Sequence, residues 1–259
     1  MSFLKIKGVR KVFTKDRHQE VIALDGLSFV CNEGEFLCIV GPTGCGKTTL
    51  LRLIAGLEPP TEGKITMNGQ IISGINKQAT LVFQQYSLFP WRNVIDNIAF
   101  SLEVKSINKE RRYLRARELI ELVGLSGFER AFPYELSGGM QQRVAIVRAL
   151  AYDPGLLLLD EPFGALDERT RHHLQEELLS IWERERKTIL FVTHNIDEAV
   201  FLASRILVMR DRPGRIEEEI KVNLPRPRDR MSEEFIDLHI RIREILERIL
   251  SECERRQDV

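Results

Sequence analysis

Three stretches of the chain are almost purely apolar: EFLCIV (35–40), LLLLD (156–160) and TILFVTH (188–194). A strand buried on both faces reads this way, because neither face has to meet water. Earlier, FLKIKGVRKVF and VIALDGLSFV alternate apolar and polar positions, which predicts half-buried strands. KITMNG predicts a strand closed by a turn at Asn68 and Gly69, and ATLVF and RILVMR predict further strands. Helical spacing appears in TTLLRLIAGL, QQRVAIVRALAYD and NIDEAVFLAS. RRYLRARELIELVGL predicts a helix with Leu114, Leu119, Leu122 and Val123 on or near one face. RTRHHLQEELLSIWERER predicts another, with Leu174, Leu178, Ile181 and Trp182 inward. Strands alternating with helices imply an α/β fold around a largely parallel, doubly wound sheet.

The pattern changes from about 85 to 153, which is aromatic and irregular and then helical, and reads as a helical subdomain inserted in the α/β domain. The α/β domain is expected over 1–230 and a helical tail over 231–259. After Asp211 comes a hairpin-like segment and the rigid run LPRPRDR. Ser232 then reads as an N-cap, followed at helical spacing by Phe235, Leu238, Ile242, Ile245 and Ile249. That predicts a terminal helix docked on the body; a dimer contact or regulatory element is the alternative.

Composition narrows the function. Lys plus Arg equals Asp plus Glu, 38 each, which argues against nucleic-acid binding through charge. No apolar run approaches the roughly 20 residues of a membrane span, and MSFLKIKGVRKVF lacks the apolar centre of a secretion signal. Cys31, Cys38, Cys45 and Cys253 form no CxxC pair, so they read as free thiols of a reducing cytosol.

The chemistry begins at GPTGCGKT (41–48), which fits G-x-x-x-x-G-K-[ST] after a buried strand and before a helix. Gly41, Pro42, Thr43, Gly44, Cys45 and Gly46 form a loop whose N–H groups can curl around phosphate oxygens. Lys47 is expected to reach the β- and γ-phosphates and Thr48 to offer its hydroxyl to Mg²⁺, with Thr49 a secondary contact. Cys45, two residues before Lys47, predicts inhibition by thiol alkylation with protection by ATP. Asp160 and Glu161 stand at the end of the LLLLD strand, where ligands of open α/β sheets bind. Asp160 is a candidate Mg²⁺ holder and Glu161 a candidate general base toward water; alone, the pair could equally cap a helix. Gln84, after ATLVF, offers a carbonyl to Mg²⁺ and an amide to the water. His194, after the third buried strand, can hydrogen-bond a γ-phosphate or cap the next helix. In LSGGMQQR (136–143), Ser137 is a good N-cap, and Gly138 and Gly139 let a phosphate approach the backbone.

Taken in order, GPTGCGKTT, VFQQ, LSGGM, LLLLDEP, FGALD and VTH resemble the ATP-binding cassette of ABC transporters, over nearly the whole chain. The resemblance implies a P-loop NTPase with a RecA-like core, an N-terminal antiparallel β subdomain and an inserted α-helical subdomain. It implies ATP and Mg²⁺ as cofactors, and a head-to-tail homodimer in which Ser137 and Gly139 of one chain bind the γ-phosphate held by the other. Asp167 would lie at the same interface. Phe13 matches the family's adenine-stacking position and Val21 is an adenine neighbour by the same analogy; ordinary core is the alternative for Phe13. The family also implies a separate integral membrane permease that inserts a short helix near residues 86–97, with Phe89, Pro90 and Trp91 in contact. An extracytoplasmic solute-binding protein would act indirectly, and the chain would sit at the cytoplasmic face of the membrane. LFPWRNVIDNIAF, Met140 where many cassettes have glutamine, EPFGALDERTR and LPRPRD look like the nitrate, sulfonate, taurine and bicarbonate importers. An importer ATPase for another solute, such as a thiamine precursor, and a soluble ABC ATPase are the alternatives.

Overall fold

The computed structural model describes the chain apart from residues 1–2, 16–18, 84–86, 165, 212 and 258–259. In chain order come β1 (Leu4–Lys15), β2 (Gln19–Cys31), β3 (Phe36–Val40), α1 (Lys47–Ile54), β4 (Glu62–Met67), β5 (Gln70–Ile71) and β6 (Ala79–Val82). The helical stretch holds α2 (Val94–Val104), α3 (Lys109–Leu122), a 3-10 turn (Pro133–Glu135) and α4 (Gly138–Ala151). Then follow β7 (Leu156–Asp160), α5 (Glu168–Glu185), β8 (Thr188–Thr193), α6 (Ile196–Leu202), β9 (Arg205–Arg210), β10 (Arg215–Lys221) and α7 (Glu233–Gln257).

The chain divides into two compact units, one of residues 1–76 with 187–259 and one of residues 77–186. In the first unit β2-β1-β4-β5 form an antiparallel sheet. The β4–β5 hairpin turns at Asn68 and Gly69, whose φ values of 50° and 78° suit the tight turn that this dipeptide predicts. β3 pairs in parallel with both β8 and β9, and β10 runs antiparallel to β9. Every residue of β3 and β8 is buried, which is why both read as unbroken apolar runs. At the start of β3, Arg205 Nε donates to Glu35 Oε1 at 2.6 Å and Nη2 to Glu35 Oε2 at 3.0 Å. This bidentate pair pins the sheet end opposite the phosphate loop.

α7 packs on α6 and β9, burying Phe235, Ile242, Ile245 and Ile249, with Leu238 half-buried. Ser232 Oγ accepts from the Phe235 N–H at 3.3 Å, the cap its position predicts. The LPRPRDR run lies against α6. Arg228 Nη1 donates to the Val200 and Phe201 carbonyls at 2.7 and 2.9 Å, and Arg226 Nη2 donates to the Leu202 carbonyl at 2.6 Å. Arg230 covers the Phe201 ring and pairs with Asp197. Cations thus meet the negative end of a helix of only 7 residues.

The second unit holds the parallel pair β6 and β7, with α2 packed on α3 and α4, and α4 packed on β6 and α5. It is wider than the helical stretch from 85 to 153, since it takes in β6, β7 and α5. The inward set on α5 is Leu174, Leu178, Ile181 and Trp182, as its spacing predicts. On α3 one assignment is corrected: Leu114 is 57% exposed, and the buried line is Ala116, Leu119, Ile120 and Val123. At about 100° per residue Leu114 points about 140° away from Leu119, whereas 116, 119, 120 and 123 follow the helical repeat.

Candidate nucleotide site

β3 delivers the chain into the phosphate loop, and α1 opens directly from it at Lys47. Gly46 is the N-cap of α1, in the left-handed region at φ 95°, and among the described residues no side chain caps this end. Each of α2, α3, α4, α5 and α6 does carry a side-chain cap, from Asn93, Asn108, Ser137, Asp167 and Asn195 in turn. The start of α1 thus differs from the other helix starts in having no side-chain cap, an arrangement that suits an approaching anion. Gly46 is required twice over. A side chain would be strained at that φ, and its Cβ would lie 2.6 Å from Leu24 Cδ2 and 2.9 Å from the Ala23 carbonyl.

Lys47 is 5% exposed, and its Nζ donates to the Gly41 and Pro42 carbonyls at 2.8 and 2.9 Å. The loop thus holds the ammonium against its own backbone, at the start of α1. Thr43, Gly44 and Thr48 are exposed, while Pro42 and Thr49 are half-buried. The surroundings of Cys45 argue against the alkylation expected there. The thiol is 1% exposed, and burial pushes its pKa up to about 11 against the opposing pull of the Lys47 ammonium.

Phe13 on β1 and Val21 on β2 are direct partners in the antiparallel register. Opposite residues project to the same face, so the two form one small apolar platform. Phe13 is half-buried and Val21 is 43% exposed, so neither is a core residue. Lys11 Nζ lies 4.8 Å from the Phe13 ring centre. From Val21 the same strand continues to Ala23 and Leu24, the residues that abut Gly46. The β9–β10 turn closes this wall, with the Gly214 N–H donating to the Ala23 carbonyl at 3.0 Å. The platform and the phosphate loop are therefore tied within one unit. Ala23 and Leu24 were not foreseen from the sequence, where they are unremarked members of an alternating strand.

β8 ends at Thr193 and leaves His194 exposed. Of its two sequence-level readings, helix capping goes to another residue: Asn195 Oδ1 accepts from the Asp197 and Glu198 N–H groups at 2.9 and 3.4 Å. Thr193 Oγ1 and the buried Glu198 carboxylate, 2.5 Å apart, brace the same turn.

In the second unit β7 ends at Asp160, which is buried. Glu161 follows at φ 44°, a left-handed conformation for a non-glycine residue. Such a residue stores about 1–2 kcal/mol, and strain of this kind is characteristic of functional turns. The Asp160 carboxylate is a hard oxygen ligand, of the kind that Mg²⁺ takes. The helix cap that the acidic pair could have formed is instead supplied to α5 by Asp167, whose Oδ1 accepts from the Thr170 N–H at 3.0 Å. That bond holds the exposed Asp167 carboxyl below the usual carboxylate range.

Ser137 Oγ accepts from the Met140 N–H at 3.3 Å, making Ser137 the N-cap of α4. A hydroxyl that accepts one bond keeps its own hydrogen to donate, so capping and anion binding are compatible. Ser137 and Gly138 are exposed and Gly139 is buried. Gln84 lies outside the described residues.

The segment after Gln84 is pinned by a residue that the sequence reading passed over. Asn97 is fully buried; its Oδ1 accepts from the Phe89 N–H at 2.9 Å, and its Nδ2 donates to the Phe89 and Arg92 carbonyls at 3.2 and 2.8 Å. The available signal was an asparagine next to Asp96 in the otherwise apolar stretch Val94 to Ala99. Phe89 packs against Phe100 edge-on at 4.8 Å, while Pro90 is exposed and Trp91 is 72% exposed. Burial, the alternative reading for this trio, holds in part for Phe89 and not for the other two.

The ABC transporter family profile matches residues 24–164. An uncharacterized ABC transporter ATP-binding protein of Methanocaldococcus jannaschii is 53% identical, over 94% of this chain and 91% of that protein. The aliphatic sulfonates import ATP-binding protein of Bacillus cereus is 46% identical, over 97% of this chain and 96% of its own. The nitrate import ATP-binding protein of Synechocystis is 47% identical, over 86% of this chain and 83% of its own. Among solved structures, the dimeric post-hydrolysis state of an ATP-binding cassette bound to ADP and Pi is 34% identical with a TM-score of 0.76. It covers 85% of this chain and 99% of that one. The chain belongs to the ABC transporter family, as an ATP-hydrolysing cassette of the branch that includes the sulfonate and nitrate import ATP-binding proteins.

Proposed function

We propose that this cassette powers import of a small oxyanion, such as nitrate or an alkanesulfonate, through a separate membrane permease. The observation that carries the nucleotide chemistry is the start of α1: an uncapped helix end, with the Lys47 ammonium held beside it. The oxyanion class rests on the sulfonate and nitrate import proteins among its relatives. The adenine stacks on Phe13 beside Val21. The loop 41–46, Lys47 and Thr49 hold the phosphates. Thr48 and Asp160, joined by the Gln84 carbonyl, are the residues that would hold Mg²⁺, which would supply neutralising charge to the phosphates. Glu161 accepts a proton from the attacking water, which the Gln84 amide orients, and His194 contacts the γ-phosphate.

Two copies pair head to tail, each offering Ser137, Gly138, Gly139 and Asp167 to the ATP of the other. Support comes from the exposed Ser137 hydroxyl at the start of α4 and from the dimeric state of the similar solved cassette. ATP favours closure because its γ-phosphate alone meets both Lys47 and the partner's Ser137, and only differential binding shifts such an equilibrium. The exposed Trp91 and Pro90, on a segment anchored by Asn97, form the contact with the permease at the cytoplasmic face of the membrane. A solute-binding protein outside the membrane delivers the solute.

Glu161→Gln tests the core of this reading. ATP binding is retained, phosphate release falls by about 10² or more, and an ATP-bound dimer accumulates in size-exclusion chromatography with light scattering. Wild-type phosphate release by that variant would remove Glu161 from the base role. Reconstitution with the permease then reads the solute, through the oxyanion that raises ATP turnover.

A further inference from the structure

The LSGG loop and the Asp167 turn meet at one side chain within the second unit. Thr170 stands in the first turn of α5, and its N–H donates to Asp167 Oδ1 at 3.0 Å. Its methyl faces the other way, onto α4: a Cβ built at Gly139 would lie 2.7 Å from Thr170 Cγ2. Both flanks are tied by hydrogen bonds. Arg171 donates its N–H to the Asp167 carbonyl at 2.9 Å and Nη2 to the Leu166 carbonyl at 2.8 Å. Gln141 Nε2 donates to the Pro133 and Leu136 carbonyls at 2.9 and 3.2 Å, and Ser137 caps the helix between them. Threonine is β-branched, so within a helix its methyl has few alternative positions.

We infer that Thr170 is a positioning residue, holding the Ser137-Gly138-Gly139 loop against the Asp167 turn so that both are presented as one body to a second copy of this chain. The inference rests on the reading that this loop closes over the partner's ATP. It gives Gly139 a role inside its own chain. Glycine stands there because any larger residue would push the loop off Thr170, as well as because a phosphate must come near. The hydroxyl and N–H of Thr170 serve the Asp167 side, and the methyl alone serves the Gly139 side, so the two contacts can be separated by substitution.

The test is a compensation experiment on Gly139→Ala, Thr170→Ser and the double variant. ATP turnover, ATP-dependent dimerisation, single-chain ATP affinity and melting temperature are measured for each. Serine removes the methyl and keeps the hydroxyl. Gly139→Ala should lower turnover and dimerisation at least about tenfold, the scale of one overpacked contact. Adding Thr170→Ser should restore both to within about threefold of Thr170→Ser alone, with single-chain ATP affinity unchanged throughout. Thr170→Ser by itself should weaken dimerisation by about threefold or more, since the loop loses its rest.

Equal impairment by Gly139→Ala in both backgrounds would overturn the inference, as would wild-type dimerisation and turnover in Thr170→Ser. Should Gly139→Ala alone fold poorly, recovery of its melting temperature by Thr170→Ser carries the same comparison, and no recovery refutes it. Ser137→Arg separates the two levels. A normal ATP-dependent dimer in that variant defeats the partner-ATP reading, while the Gly139–Thr170 coupling is still decided by the melting temperatures.

Discussion

A thiol inside a phosphate loop invites the idea that alkylating reagents will disable the enzyme. The structure predicts the reverse for Cys45. The reacting species is the thiolate, and burial raises the Cys45 pKa from its usual 9.0 to about 11 even though the Lys47 ammonium pulls it down. At pH 8 an ordinary thiol is about 10% ionised and this one about 0.1%, so ionisation alone slows attack by about 100-fold. Access slows it further, because the side chain is 1% exposed and walled by the loop backbone. The experiment treats the wild-type protein at pH 8 with N-ethylmaleimide, following each cysteine by peptide mass and the ATPase rate in parallel. Half-buried Cys253 serves as the internal reference and should be modified first, with activity intact. Raising the pH should speed Cys45 modification by about tenfold per unit toward pH 11. Modification of Cys45 at the rate of Cys253 at pH 8, with loss of activity that Cys45→Ser prevents, would refute the reasoning.

Gly46→Ala places a Cβ against Leu24 and the Ala23 carbonyl at φ 95°; strain and overpacking together should cost roughly 2–5 kcal/mol. Chemical denaturation should show that loss alongside abolished ATP binding, and a variant with normal stability would show that the β2 wall yields. Gln142 is fully buried, and among the described residues neither its Nε2 nor its Oε1 has a hydrogen-bond partner. Gln142→Met should therefore raise stability by about 1–3 kcal/mol, read in urea, whereas a loss of similar size would mean that Gln142 holds a buried water.

Much of this was legible in the sequence where one residue type answers one local demand. β3, β7 and β8 are short apolar runs, with only Asp160, Thr188 and Thr193 polar, because both faces are covered. The phosphate loop was legible because its glycines and lysine stand at fixed spacing between a strand and a helix. The caps Ser137 and Ser232 were legible because a hydroxyl before a helix has one common use. What depended on distant chain was not. Leu114 looked inward because the helix phase was read from Leu114, Leu119, Leu122 and Val123, whereas Ala116 and Ile120 complete the buried line. Cys45 looked reactive because a sequence shows its neighbour Lys47 but not the burial that outweighs it. Gly139 looked like a phosphate residue only, since nothing near it in the chain announces Thr170. The aromatic platform was suggested by likeness; its anchoring through Ala23 and Leu24 to Gly46 is a matter of register that alternation does not encode.

The arginines that lie against α6 have a consequence for synthesis. α6 spans 7 residues, too few to persist as an isolated helix. The cations that bind its terminal carbonyls are separated from them by 24, 27 and 28 positions of chain. On a ribosome the peptide around His194 therefore emerges well before the groups that fasten it, and stays unfastened until residue 228 is clear of the tunnel. The order of translation makes the turn at His194 one of the last parts of the first unit to set.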